Sequence, residues 1–207
     1  MNLIFIISLL FISPFIANAD TPTLLIGDSH TVGPFGEALL KSLGGRQQVA
    51  RFAVAGSSAI HWNRKNICPA DKRCPFTYGY SDPEGSKQGA VPSNFPGILG
   101  ALDQTKAKKL IIALGTNDGD INCKSGNING ARELLRNTNG LPCTWIGPPA
   151  YTSGTIFQHC GESFDRYVDS LASLVNSAGC KFIDSRKIID PQTNRPVKAN
   201  APDTCLL

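Results

Sequence analysis

The sequence is poor in several features that would assign it to a common functional class. Only two of its 207 residues are Trp and four are Tyr, too few for the aromatic platforms on which nucleic-acid bases stack. The net charge of +4 is small and scattered along the chain, so the sequence shows no basic patch of the kind that binds nucleic acid. Glycine shows no triplet period, which excludes a collagen-like chain. We therefore expect a globular protein that does not bind nucleic acid.

No apolar run is long enough for an ordinary membrane-spanning helix. The longest one covers residues 3–16, whereas a bilayer requires roughly 20 residues. The small residues Ala17-Asn18-Ala19 follow it, as at the cleavage site of a signal peptide. We therefore predict a signal peptide over residues 1–19, a secreted or periplasmic protein that meets the membrane only through that peptide, and a single domain over 20–207. Because no Lys or Arg precedes the apolar run, an uncleaved anchor is the alternative.

The seven cysteines have no spacing typical of a zinc site, since no two of them are separated by two residues. We expect no metal and no cofactor. In an exported chain, disulfide bonds are the default interpretation. Cys68 could pair with Cys74 within one loop, and further pairs that the sequence allows are Cys123–Cys143 and Cys160 with Cys180 or Cys205. Seven is an odd number, so at least one thiol is free or pairs outside the chain.

Short apolar runs alternate with helical patterns after residue 20, which predicts an α/β fold with a mostly parallel sheet. We predict a three-layer α/β/α sandwich of the flavodoxin-like kind with five strands. The predicted strands are 23–26, 48–54, 109–114, 143–147 and 180–183, and the predicted helices are 35–43, 95–106, 128–136 and a longer one capped by Ser163 and ended by Gly179. Residues 57–95 are expected to form a long irregular loop, which in a compact domain is often functional.

Small polar residues follow three of the predicted strands. They are Gly27-Asp28-Ser29-His30, Ala55-Gly56-Ser57-Ser58 and Gly115-Thr116-Asn117-Asp118. Ligands of parallel α/β sheets bind just beyond the carboxyl ends of the strands. Ser29 offers a hydroxyl nucleophile with its own amide near a helix N-terminus. Gly56 offers an unshielded backbone amide, and Asn117 offers a side-chain NH₂ donor.

The Gly-x-Ser-x-Gly elbow of the α/β-hydrolases is absent from the sequence. The order of motifs instead resembles the SGNH (GDSL-like) esterase and lipase superfamily over roughly residues 22–190. Gly27-Asp28-Ser29 is similar to the first block of that family, Gly56 to the second and Gly115-Thr116-Asn117-Asp118 to the third. The resemblance implies that Ser29 is the nucleophile, and that the amides of Ser29 and Gly56 and the side chain of Asn117 form the oxyanion hole.

The last block of the family, Asp-x-x-His, is not found, so the general base is not assigned. None of the three histidines, His30, His61 and His159, has an Asp three positions before it, and Leu206 occupies the histidine position after Asp203. Three explanations are open. The sequence stops short of the block, the protein is an inactive module that keeps a binding cleft, or one of the three histidines is the base.

The predicted signal peptide and the resemblance together imply an exported serine esterase acting on small acyl esters, with acetyl groups on carbohydrate as one option. The alternatives are a catalytically inactive envelope module that binds carbohydrate or acyl groups, and a sugar O-acyltransferase. The expected partner is a small acyl ester or an acylated carbohydrate. The sequence gives no indication of the oligomeric state.

Overall fold

The computed structural model describes residues 22–68, 77–118, 128–151, 161–190, 195–196 and 198–199. The predicted signal peptide lies outside these residues. The strands are β1 (Thr23–Gly27), β2 (Val49–Val54), β3 (Thr77–Asp82), β4 (Gly85–Ala90), β5 (Lys109–Ala113), β6 (Cys143–Ile146), β7 (Ala150–Tyr151), β8 (Lys181–Ile183), β9 (Ile189–Asp190), β10 (Arg195–Pro196) and β11 (Lys198–Ala199). The helices are α1 (Ser29–Val32), α2 (Pro34–Ser42), α3 (Ala59–Trp62), α4 (Ile98–Thr105), α5 (Ile128–Arg136) and α6 (Gly161–Ser177), with a 3-10 helix at Ser185–Lys187. No helix in this part of the chain is both long and apolar enough to cross a bilayer.

The main sheet has seven strands in the order β4-β3-β2-β1-β5-β6-β8. Strands β2, β1, β5, β6 and β8 run parallel to one another, and they are the five strands that the sequence predicts. The mostly parallel α/β fold is therefore confirmed. The predicted strand number is wrong, because β3 and β4 extend the sheet beyond β2 as an antiparallel hairpin.

The hairpin lies within the segment 57–95 that was expected to be irregular. Its turn is built by Asp82, whose side chain accepts hydrogen bonds from the backbone N–H groups of Glu84 and Gly85 at 2.9 and 3.0 Å, a common role of Asp before a tight turn. Strand β4 is largely exposed and polar. It therefore lacks the apolar run by which buried strands are recognised.

Alternating side chains of the strands build two cores on opposite faces of the sheet. The larger core joins one face to α3, α4, α5 and α6, with Leu24, Ile112 and Trp145 at its centre. The smaller core joins Leu25 and Ala113 on the other face to α2. This arrangement gives the predicted three layers, and it leaves the carboxyl ends of the parallel strands at one edge.

All four predicted helices are found, and two of them begin about three residues from the predicted position. Helix α4 begins at Ile98 and not at residue 95. The long C-terminal helix α6 begins at Gly161, so Ser163 lies inside the helix and is not its N-cap. Its end is as expected, since Gly179 follows it with a φ of +80°, a left-handed conformation that glycine adopts without a Cβ clash.

One disulfide joins two neighbouring strands, and its pairing differs from the predicted ones. Cys143 bonds to Cys180, with 4.8 Å between their Cα atoms. Thr144 pairs with Lys181 in the β6–β8 ladder, so the two cysteines stand opposite each other one position earlier. Cys68 is also disulfide-bonded. The other predicted partners, Cys74, Cys123, Cys160 and Cys205, lie outside the described residues.

Candidate active site

The parallel register brings the three polar strand ends to one edge of the sheet. Strand β1 lies between β2 and β5, and Gly27 at its end pairs with Ala53 of β2 and Ala113 of β5. Ser29 therefore follows the central strand by two residues. Gly56 follows β2 by two residues, and Asn117 follows β5 by four. The loops that carry these residues are consequently adjacent in space.

Asp28 fixes the start of the short helix that carries Ser29. Its buried side chain accepts a hydrogen bond from the backbone N–H of His30 at 3.1 Å, as an N-cap does. Ser29 is the first residue of α1 and is half-buried. Its amide has no acceptor within the helix, because the first N–H groups of any helix lack one. A Cβ at Gly27 would lie 2.0 Å from Oγ1 of Thr31, so only glycine permits this close approach of strand and helix.

Gly56 forms the turn that follows β2. Its φ of +76° is in the left-handed region, which glycine occupies readily. The next residue, Ser57, is fully buried, and its hydroxyl accepts a hydrogen bond from the indole N–H of Trp62 at 3.0 Å. The indole thereby holds the loop against the core. Trp62 is itself fully buried.

Asn117 is held directly against the β2 loop. Its Nδ2 donates a hydrogen bond to the carbonyl oxygen of Ser57 at 2.9 Å. An amide NH₂ group has two donor hydrogens, so one is used to hold the side chain and the other can serve a ligand. A fixed neutral donor of this kind is what an oxyanion hole requires.

Asp118 makes a second connection between the same two loops. Both of its carboxylate oxygens accept from the backbone N–H of Ala59, at 3.0 and 3.1 Å. Burial raises the pKa of Asp118 to about 7, the hydrogen bond from Ala59 opposes the shift, and the negative charge of Asp28 adds to it. Asp118 is therefore a buried group that connects the two loops.

The two described histidines have defined partners, and neither partner is Ser29. Nδ1 of His61 accepts from the backbone N–H of Ser58 at 3.0 Å and lies 2.9 Å from the Ser58 hydroxyl, which completes a capping box at the start of α3. Burial lowers the pKa of His61, and the charge of Arg64 lowers it further. His61 is therefore neutral near pH 7.

His30 is paired with the carboxylate that precedes Ser29. Its Nδ1 lies 3.3 Å from Oδ1 of Asp28. Burial opposes protonation of this imidazole, but the hydrogen bond and the charge of Asp28 outweigh that effect and raise the pKa of His30. Successive side chains on a helix do not face each other, and the partner of Nδ1 in this structure is Asp28. His159 lies outside the described residues.

Comparison with known proteins gives matches in structure only. No protein-family model matches the chain, and no curated protein matches its sequence. A putative arylesterase from Agrobacterium tumefaciens str. C58 superposes with a TM-score of 0.52 at 18% identity, over 87% of this chain and 91% of the other. A carbohydrate acetylesterase family member from Sinorhizobium meliloti gives 0.51 at 16% identity, over 87% and 90% of the two chains. The inhibitor-bound aryl esterase of M. smegmatis gives 0.51 at 15% identity, over 86% and 90%.

These matches cover most of both chains in each pair, and their low identities restrict what they show to the fold. The chain therefore shares its mostly parallel α/β fold with these three esterases.

Proposed function

We propose that the protein is a serine esterase that hydrolyses small acyl esters. The observation that carries the proposal is the register of β1 with β2 and β5. It brings a hydroxyl, a glycine turn and a fixed amide donor to three adjacent strand ends. The fold shared with acetyl and aryl esterases supports the same reaction class.

In the proposed reaction, Oγ of Ser29 attacks the ester carbonyl carbon. Its proton passes through a base to the leaving alcohol as the C–O bond breaks, and an acyl-enzyme remains. Water then attacks the acyl carbon, which releases the carboxylic acid and restores the hydroxyl. The amides of Ser29 and Gly56 and the second Nδ2 hydrogen of Asn117 stabilise the negative charge on the carbonyl oxygen in both steps.

The test is Ser29-dependent turnover of p-nitrophenyl acetate by the full-length protein. We expect Ser29→Ala to abolish turnover, and Asn117→Ala to lower kcat by about 10²- to 10³-fold, as loss of one oxyanion donor does. Asn137→Ala is the matched control, because its amide bonds the side chain of Asn63 and neither residue belongs to the proposed site. A fluorophosphonate probe should add its mass to the peptide that contains Ser29.

The competing nucleophile is Ser58, whose hydroxyl faces His61. If Ser58→Ala abolished turnover while Ser29→Ala retained it, the assignment of Ser29 would be wrong. If no ester were turned over above the Ser29→Ala background, the enzyme proposal itself would fail and a binding module would remain.

We also propose that the protein acts outside the cytoplasm. The disulfide between Cys143 and Cys180 supports this location, because disulfides persist mainly in oxidising compartments. Expression of the full-length chain with its natural leader and sequencing of the mature N-terminus tests the proposal. Asp20 is expected as the first residue, and a chain that still begins at residue 1 would contradict cleavage.

A further inference from the structure

A cavity of about 260 Å³ opens next to the proposed catalytic residues. Asp28 and His30, which flank Ser29 in the sequence, form part of its wall. Thr116, which precedes Asn117, forms another part. The cavity is thus continuous with the strand ends that carry the proposed nucleophile and one oxyanion donor.

The rest of the wall is largely apolar. It includes Phe35, Leu114, Ile146, Pro148 and Ile188. Phe35 and Ile188 are 42% and 46% exposed and are two of the four large apolar side chains found exposed in the described part of the chain. Exposed apolar side chains that line a concave surface are typical of a ligand site.

We infer that this cavity binds the acyl part of the substrate, and that the preferred esters carry an unbranched apolar acyl group of about four to eight carbons. This inference rests on the proposed esterase activity. A water-sized group occupies about 30 Å³, so the single methyl group of an acetyl ester would leave most of the cavity unfilled. A sugar ring would leave hydroxyl groups without partners against these walls, which is unfavourable.

The first measurement is a chain-length series of p-nitrophenyl esters from acetate to decanoate with the full-length protein. We expect kcat/KM to rise by about fourfold for each added methylene, the factor that follows from burying one CH₂ group. The increase should stop near the octanoyl ester, where the cavity is full. Ser29→Ala provides the background for every ester.

Two variants test whether the cavity is the origin of the preference. Ile188→Glu places a charge at an exposed position on the wall, where the fold should tolerate it, and Ile146→Phe reduces the volume from the sheet side. We expect each to lower the ratio of kcat/KM for hexanoate to that for acetate by tenfold or more. Leu99→Glu is the matched control, because Leu99 is 54% exposed on α4 and does not line the cavity. It should leave the ratio unchanged.

The outcomes separate this inference from the activity on which it rests. If Ser29-dependent turnover were fastest with acetate and fell with chain length, the esterase activity would be supported. The inference that the cavity binds the acyl group would be overturned. A preference for longer chains that survives both Ile188→Glu and Ile146→Phe would also overturn it. If no ester is turned over, calorimetry with free octanoate decides. Binding that Ile188→Glu weakens and Leu99→Glu does not would support the cavity, and no binding would overturn it.

Discussion

Asp118→Asn should change how the stability of the protein depends on pH. The pKa of Asp118 is raised to about 7 from an ordinary value of 3.8, so the folded protein binds this proton more tightly than the unfolded chain does. Between these two values the free energy of unfolding therefore falls as the pH rises, because the ionised form is penalised by burial. At about 1.4 kcal/mol for each pH unit, the full penalty is on the order of 4 kcal/mol above pH 7.

The variant removes this charge but keeps an oxygen that can accept from the N–H of Ala59. We expect the difference in unfolding free energy, variant minus wild type, to increase by about 3 kcal/mol between pH 5 and pH 8. Urea unfolding at several pH values measures it. Replacing the carboxyl group with an amide can also change the stability by an amount that does not depend on pH, and such an amount does not affect the change between pH 5 and pH 8. His30 titrates in both proteins, so its contribution to the difference cancels.

Asp103→Asn is the matched control, because Asp103 is exposed on α4 and its pKa is lowered by its hydrogen bond and ion pair with Lys106. It therefore titrates below the tested range, and its difference from wild type should be independent of pH there. A flat difference for Asp118→Asn as well would refute the argument that burial keeps Asp118 protonated near neutral pH.

Three further predictions concern stability. Replacing both Cys143 and Cys180 with Ser should lower the free energy of unfolding by about 4 kcal/mol, the chain-entropy value for a separation of 37 residues; equal urea midpoints would show that the bond contributes nothing. Tyr167→Phe should be neutral or stabilise by up to about 1 kcal/mol, because the buried hydroxyl has no hydrogen-bond partner in the described part of the chain; a clear loss in thermal unfolding would contradict this. Arg186→Met should destabilise by about 2 kcal/mol, since Arg186 bonds Asp184 at 2.8 Å and anchors the 3-10 helix to α6. The pKa of Asp184 is lowered to about 2, so this contribution is present above pH 4 and disappears in acid, and the variant should lose that acid dependence.

The parallel part of the fold could be predicted because its strands are buried on both faces. Such strands are continuous apolar runs, as in residues 110–114, and they end at glycine or polar residues. The hairpin β3–β4 could not be predicted in this way, since its outer strand is exposed and polar. The sequence does contain one local signal for it, the Asp82-Pro83-Glu84-Gly85 turn, which a search for turn residues would have found.

The disulfide pairing depends on strand order, which local patterns do not contain. Cys143 and Cys180 are 37 residues apart in the sequence but stand side by side because β8 is placed next to β6. Cysteine spacing alone does not indicate that neighbourhood. A predicted strand order with the strand of residues 180–183 beside the strand of residues 143–147 would have favoured the Cys143–Cys180 pair.

The proposed site residues were named from motifs at the strand ends, and their roles stay predictions. What the motifs did not contain is the set of bonds between the loops. The sequence does not indicate that the carboxylate of Asp118 is buried, because its partner, the N–H of Ala59, is 59 residues away in the sequence. Long-range polar partners of this kind become visible only when the order of the strands is known.

These bonds have a consequence for the site as a whole. Asn117 bonds Ser57, and Asp118 bonds Ala59, so the loops after β5 and β2 are held together at two points although β1 lies between their strands. Ser29 follows β1, which lies between β2 and β5, and the positions of the loops after these two strands depend on each other. An oxyanion site stabilises charge best when its donors are already in place before the reaction. In the proposed oxyanion site, the two inter-loop bonds would supply that preorganisation, so Asp118 and Ser57 would matter to its geometry as much as Ser29, Gly56 and Asn117.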